Sequence, residues 1–464
     1  MQKSAFMERH VVLDKIRKEL FYGSSDYTKS QPDLFVPHHF KMLAPSQVGA
    51  FLETLKNSMP EEEILLYVHL PFCFTECLFC NSFPHKVDKQ IQRDYLQRLL
   101  KEIDFFSGCG VFAGKRAKCI YFGGGTPTSF ANSDLKLIID KIKSCIDLSP
   151  NCNITAEAHP LTLANGKRVG ELAKIGLNRI SIGCQTFDPE VLRLCNRDNT
   201  ELQVQRIIKT VQDAGLPINI DMMTGLPGQT MESVRKDLEI LDGIRPNAIE
   251  YIRHEIVNPL VIDLYKARPE LVVADDVLFE MVLTTQEWME SRGYEQNGRF
   301  TNDKQWEYRY HWIKEMPIIA FGPRTRSYTK TICYDKHEDL STYSRLIDKG
   351  IPPVGRYLVL TKKERMYRSL ILSLQMKSGL DSKQFQNTYH ETPGSVFAPL
   401  FAKLHECGCI KINDDAIRLT TEGAYFVEDV CDNIIDAVLK EESPDLVREP
   451  YTAASKSSRL NREK

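Results

Sequence analysis

Three cysteines, Cys73, Cys77 and Cys80, are spaced C-x3-C-x2-C at the end of the apolar run that begins at Tyr67. Thiolates at that spacing share one loop and can converge on a metal cluster. Three ligands on a four-iron, four-sulfur cluster leave one iron open to bind and activate a small molecule, whereas a four-cysteine cluster mainly carries electrons. A thioredoxin-like C-x-x-C or half a zinc site would use Cys77 and Cys80 and leave Cys73 without a task. The rest of the chain is expected to present a substrate to the open iron.

A second stretch suited to a ligand is Gly123-Gly-Gly-Thr126-Pro. Glycine lets backbone approach a ligand closely, and the exposed N–H and C=O groups could meet an amino-acid-like molecule. The stretch has neither the P-loop Lys-Ser/Thr nor G-x-G-x-x-G spacing, so nucleotide phosphate is not its natural ligand.

Both stretches need a scaffold. Six β-branched or apolar runs read as strands: Ile64–Leu70, Lys118–Gly124, Asn153–His159, Arg179–Gln185, Ile218–Met223 and Ala248–Glu255. Segments of helical period separate them, which implies parallel strands with right-handed crossovers. Because the alternation stops after the sixth strand, the reading is α/β: a partial barrel of six β/α units rather than a complete eight-unit barrel. Each strand ends in small, polar or charged residues: the cysteines, the glycines, Glu157, Gln185, Asp221, and Arg253-His-Glu255. Ligands bind at the C-terminal rim of a parallel barrel. A lone strand-end carboxylate is usually solvated or ion-paired, but six strands marking one rim favour a site.

Around the barrel, residues 1–63 read as an N-terminal helical extension, with Lys41–Met59 as its last helix. Residues 64–330 form the barrel and a substrate-facing extension, 331–360 a linker, 361–440 a second domain and 441–464 a disordered tail. The second domain reads as helices, a hairpin at Cys409–Leu419 and a last helix, Ala424–Leu439, a winged-helix-like α+β arrangement. The hairpin offers little positive charge beyond Lys411 and Arg418, which argues against DNA contact.

Composition narrows the function classes. The 464 residues carry 60 Lys+Arg against 62 Asp+Glu, so no global charge favours nucleic acid or an anionic membrane. Thirteen mostly scattered cysteines and a polar start favour a reducing cytoplasm. No apolar run approaches the ~20 residues that span a bilayer. No heptad pattern suggests a coiled-coil dimer, and a monomer is expected. Outside the C-x3-C-x2-C loop, Cys333 is the one cysteine considered near a substrate, against its ordinary reading as a small buried hydrophobe.

Together, the cysteine loop, the GGGTP turn and the strand-end Glu, Gln and Asp resemble the radical S-adenosylmethionine (radical SAM) superfamily. The segments at Tyr67–Cys73, Tyr121–Thr128, Asn178–Phe187 and Asp221–Thr230 resemble its oxygen-independent coproporphyrinogen III oxidase subfamily. The resemblance implies that Cys73, Cys77 and Cys80 hold a 4Fe-4S cluster whose open iron chelates S-adenosylmethionine. It further implies that Gly123, Gly124 and Thr126 hold the methionyl end, and that Tyr67, Phe79, Glu157, Gln185, Arg197 and Asp221 complete the cofactor site. The implied chemistry is reductive cleavage to a 5′-deoxyadenosyl radical, with reduced flavodoxin or ferredoxin as electron donor.

The substrate is less defined. The aromatic segment Phe300–Trp312 fits a flat, conjugated molecule, although an aromatic core is the plainer reading. Arg324 and Arg326 occupy a loop where relatives usually carry small residues, and guanidinium forks suit anionic groups. Tyr67, Arg324 and Arg326 are therefore the residues expected to act on the substrate. In the decarboxylases a further cysteine follows the third by two positions, and Ser82 stands there instead. That substitution favours methyl or methylene transfer to an sp2 carbon with two S-adenosylmethionine molecules. The alternative is heme or porphyrin processing, including heme carriage with His69, His254 or His311 as axial ligand.

Overall fold

The computed structural model describes residues 40–435 except 83, 257, 297–299, 302–307, 428 and 432. The six runs fold as Glu63–Leu70, Arg116–Gly124, Asp147–Ala158, Arg179–Gln185, Ile218–Thr224 and Ala248–Arg253. Each pairs in parallel with the next. Helices Lys89–Gly108, Asn132–Cys145, Lys167–Lys174, Glu201–Asp213 and Met231–Ile244 make the crossovers. Their starts are set locally: Asp88 accepts from the N–H groups of Gln90 and Ile91, and Thr200 and Thr230 form capping boxes.

Strand periodicity divides the chemistry by face. Leu66, Val68, Ile120, Phe122, Ile154, Ala156, Ile180, Ile182, Ile218 and Ile220 join the main core with residues of the crossover helices, such as Leu135, Ile138, Ile139 and Ile142. The alternate positions carry Tyr67, His69, Tyr121, Thr155, Glu157, Ser181, Asn219 and Asp221. Successive side chains of a strand point to opposite faces, so the polar set shares the inner face.

The sheet extends beyond the six expected units. Ile318–Phe321 pairs in parallel with Glu63–Leu70, adding a seventh parallel strand on the far side of the first. Arg326–Tyr328, Ile332–Lys336 and Val354–Val359 continue antiparallel to the edge strand Lys41–Met42. At the other edge lie Phe300–Thr301 and Glu295–Gln296, giving thirteen strands among the described residues. Residues 331–360 are therefore no linker: they supply two strands and the helix Leu340–Asp348. Nor is Lys41–Met59 one helix, since its first two residues pair as a strand and only Val48–Asn57 is α-helical. The expected helix before residue 40, the tail 441–464 and the end of the last helix lie outside the described residues.

This added layer is pinned to the barrel by a fully buried ion pair, Lys336 with Glu102. The Glu102 carboxylate also accepts from the Tyr343 hydroxyl (2.6 Å) and the Gly322 N–H (2.8 Å), while Lys336 also donates to the Ala320 carbonyl. Burial pulls the Lys336 ammonium below its usual range, and Phe106 and Phe321 flank it at 5.0 and 5.1 Å. Both charges of the pair thus have further hydrogen-bond partners, which a buried pair requires.

The C-terminal region has its own core, built from Lys362–Leu374, Ser382–Tyr389 and Pro393–Glu406. The expected hairpin gains a third strand, Leu380–Asp381, which pairs with Ala416–Leu419. Arg368 lies 3.3 Å over the Tyr328 ring, and Arg253 donates to the Tyr425 carbonyl, so this region docks on both sides of the barrel. No helix among the described residues is long and apolar enough to cross a membrane.

Candidate active site

The cysteine loop leaves the first strand and is tied down from several directions. Within it, Cys80 N–H donates to the Cys77 carbonyl (3.0 Å). From beyond the fourth strand, Leu78 N–H reaches the Cys195 carbonyl (3.1 Å) and Asn196 Nδ2 donates to the Glu76 carbonyl (2.7 Å). From beyond the sixth, the buried Asn258 donates to the Cys80 carbonyl (3.0 Å). Backbone on both sides of Cys77 and at Cys80 is therefore held by the barrel.

The three half-buried thiols line one cavity of about 520 Å3. Among the described residues no group of His, Cys, Asp or Glu is close enough to hold a single metal ion. A four-iron cluster is a wider object, and its thiolates stand further apart than the donors of one ion. Cys73 Sγ lies 3.2 Å from Thr126 Oγ1, and burial pushes its thiol up to about 12. Arg197 Nη1 donates to Cys77 Sγ at 3.3 Å, with its guanidinium 5.8 Å from the Phe79 ring centre. Three thiols, one hydroxyl and one guanidinium facing a cavity fit an anionic iron–sulfur cluster.

The wall beside the loop fits an amino-acid-like cofactor. A Cβ on Gly125 would stand 2.6 Å from the Phe72 backbone nitrogen, and one on Gly124, at φ +108°, 2.5 Å from His69 Nδ1. Only glycine allows this approach. Gln185 is 9% exposed, and its Oε1 has no hydrogen-bond partner among the described residues. An amide oxygen buried without a partner is costly unless a ligand or water satisfies it. Asp221 accepts from Asn219 Nδ2 (2.6 Å) and the Ser181 hydroxyl, which aims its carboxylate at the same cavity.

Gln185 sits at φ +77°, and its turn is held from behind by Asp237, which accepts from Thr186 Oγ1 (2.8 Å) and Phe187 N–H (2.7 Å). Burial nevertheless raises Asp237 to about 7 from an ordinary 3.8. The folded chain thus keeps a proton that the unfolded chain has lost, and stability is expected to fall between about pH 4 and about pH 7 and level off above. Asp237→Asn should remove this slope, as read from urea unfolding at mildly acidic and mildly alkaline pH.

Cys73, Cys77, Cys80, Phe79, Gly124, Thr126, Glu157, Gln185, Arg197 and Asp221 all line the cavity. Tyr67 and Gly123 stand deeper in the barrel. A Cβ on Gly123 would lie 3.0 Å from the Tyr67 ring and 3.2 Å from Glu157 Oε1. Tyr121 donates to Glu157 (2.9 Å) and stacks between Tyr67 and Tyr308, with ring centres 6.2 and 4.7 Å away. Burial, then the charge of Glu157, holds the Tyr67 phenol well above its ordinary range.

The two arginines part company. Arg324, exposed and at φ +59°, donates to the Ser82 carbonyl (3.4 Å) just past the cysteine loop. Arg326, by contrast, is engaged within the sheet. It faces its ladder partner Asp335 in a two-pronged pair (2.6 and 2.9 Å), shared with Arg356, and both guanidiniums cover Phe40. Cys333 is likewise buried in a satellite core away from the cavity. Of the histidines, His69 meets the Tyr67 hydroxyl (3.3 Å), His254 is buried against the Gly225 carbonyl (3.1 Å), and His311 lies on the helix Tyr308–Ile313. Within the aromatic segment, 302–307 fall outside the described residues. Sequence reasoning missed Asn196, Asn258, Asp237 and His159. His159 had the clearest signal, two positions after Glu157 on the same strand face.

This fold and this cavity define a class: residues 67–241 match the family model of the radical SAM superfamily, so the chain carries a radical SAM domain. The HemN C-terminal domain model matches residues 360–426. Its cofactors are accordingly a 4Fe-4S cluster and S-adenosylmethionine. Anaerobilin synthase of Escherichia coli O157:H7 is 22% identical over 86% of this chain and 89% of its own length. Heme chaperone HemW of Escherichia coli K12 is 30% identical over 50% of this chain and 60% of its own. The solved coproporphyrinogen III oxidase HemN from Escherichia coli shares the fold, with a TM-score of 0.75 at 22% identity, covering 87% of this chain and 96% of that one.

Proposed function

We propose that the protein is a radical SAM enzyme of heme or porphyrin processing. The observation that carries the enzymatic part is the single cavity lined by the three cysteines, the glycine turn and Gln185, whose buried side-chain oxygen has no partner among the described residues. In this reading Cys73, Cys77 and Cys80 hold the cluster, while Gly124, Thr126, Gln185 and Asp221 orient S-adenosylmethionine. When bound, cluster and cofactor supply a 5′-deoxyadenosyl radical after one-electron reduction, for which a reduced flavodoxin or ferredoxin suits. The chain's own share is to orient the cofactor and keep water from the reacting carbon.

The substrate class rests on the relatives, whose names share tetrapyrroles: a bilin, heme and coproporphyrinogen. Nothing in those names supports methyl or methylene transfer, and the heme and porphyrin reading takes its place. The stacked Tyr67, Tyr121 and Tyr308 offer a flat wall, and Arg324 a guanidinium beside the cysteine loop.

The test is anaerobic. Reconstituted, reduced protein is given S-adenosylmethionine with hemin or coproporphyrinogen III, and 5′-deoxyadenosine and tetrapyrrole absorbance are followed. A tetrapyrrole-dependent rise in 5′-deoxyadenosine with a changed spectrum is expected. Hemin binding without that rise would indicate carriage instead, and S-adenosylhomocysteine formation would restore alkyl transfer. Arg324→Ala is expected to weaken binding of a carboxylate-bearing porphyrin about tenfold, as for loss of a charge-assisted hydrogen bond, and Arg326→Ala to leave it unchanged. Titration of each variant with the free acid and its methyl ester checks both.

A further inference from the structure

The third barrel strand delivers Glu157 to the cavity, and two residues on, His159 lines the same wall. Its position is fixed by its own turn. His159 caps the short helix Pro160–Leu163, with Nδ1 facing the Leu161 N–H at 3.3 Å. Its carbonyl accepts from the N–H (2.9 Å) and hydroxyl (2.6 Å) of Thr162.

An amide N–H can only donate, so Nδ1 must be the ring's acceptor, and in the neutral imidazole the proton then sits on Nε2. Burial, assisted by the positive charge of Arg197, lowers the imidazole to about 3, so the ring is neutral at physiological pH. Nε2 is shielded from solvent and has no partner among the described residues. The turn thus leaves a neutral, buried N–H donor without a partner on a residue of the cavity wall.

The neighbouring donors are otherwise engaged. Arg168, on the same wall, donates to Asn132 Oδ1 (3.0 Å) and to the carbonyls of Thr162 (2.8 Å) and Phe130 (2.7 Å). Arg197 donates to Asn199 Oδ1 (3.1 Å), the Gly183 carbonyl (2.6 Å) and Cys77 Sγ (3.3 Å). A molecule bringing an acceptor oxygen to this part of the cavity would satisfy the orphaned imidazole.

We infer that His159 is a further cofactor-binding residue, whose Nε2–H donates to a carboxylate or ribose oxygen of S-adenosylmethionine. This role depends only on superfamily membership, so it stands whatever the substrate is.

Two substitutions separate the donor from the cap. Asn can cap Leu161 N–H with Oδ1 but ends short of the Nε2 position, whereas Gln, one methylene longer, brings an amide N–H near that position without the cap. Anaerobically reconstituted wild type, His159→Asn and His159→Gln are compared for iron content, thermal midpoint and S-adenosylmethionine affinity by calorimetry, without substrate. With iron content and midpoint preserved, His159→Asn is expected to bind about fivefold to tenfold more weakly, the size of one neutral hydrogen bond, and His159→Gln to stay close to wild type. Unchanged affinity in His159→Asn would overturn the role. So would equal losses in both variants, or loss of cluster or thermal stability in both, which would mark His159 as structural only.

Discussion

Single replacement of Cys73, Cys77 or Cys80 by Ala is expected to abolish reductive cleavage of S-adenosylmethionine, with at least a hundredfold loss of 5′-deoxyadenosine. On the proposed assignment each thiol would be one of three protein ligands, so none is redundant, and a cluster held by two is labile. The loop itself should survive, because its backbone is held by Asn196, Asn258 and Cys195 through bonds that involve no thiol. Iron and sulfide content should therefore fall while the thermal midpoint of the cluster-free protein stays near that of the wild type. Cys145→Ser is the control: Cys145 ends a crossover helix, away from the cavity, and its loss should change neither readout. Wild-type 5′-deoxyadenosine formation in any of the three Ala variants would refute the ligand assignment.

Glu102→Ala should be the most destabilising substitution outside the cavity, by about 3–5 kcal/mol, because it leaves Lys336 charged and buried without its partner. The same change frees the Tyr343 hydroxyl and the Gly322 N–H, both of which donate to that carboxylate. Gly322 lies two residues before Arg324 at φ +97°, so loosening it should also disturb the guanidinium beside the cysteine loop. Replacing both charges, Glu102→Leu with Lys336→Met, is expected to recover much of the loss, since apolar residues of similar size can substitute for a buried pair. Urea unfolding of the two single variants and the double variant measures this. Equal destabilisation in Glu102→Ala and the double variant would show that the charge pair is not the cause.

The six parallel strands were legible because each combines a β-branched face with a polar face at period two, and because their ends carry unusual residues. The cysteine loop was legible from spacing alone. What escaped were features set by pairing across long sequence separations. Ile332–Lys336 and Val354–Val359 are short and mix Asp, Lys, Arg and Tyr with apolar residues, so they read as a linker, although antiparallel partners on either side make them strands. Arg326 reads as a substrate-facing loop residue because nothing local reveals that Asp335 stands opposite it in the ladder. Asn258 and Asp237 are polar residues at helix starts or within helices, a pattern shared by many solvated positions. Only the fold shows that one holds Cys80 and the other the Gln185 turn.

The seventh parallel strand has a consequence for how the chain comes together. Ile318–Phe321 pairs with Glu63–Leu70, the strand that leads directly into the cysteine loop. During synthesis, one side of that first strand has no native neighbour until roughly 250 residues later the pairing segment emerges. Contacts of such long range are slow to form, and an open strand edge invites wrong pairing in the interval. The cysteine loop is thus attached to a strand whose second edge is enclosed late in synthesis.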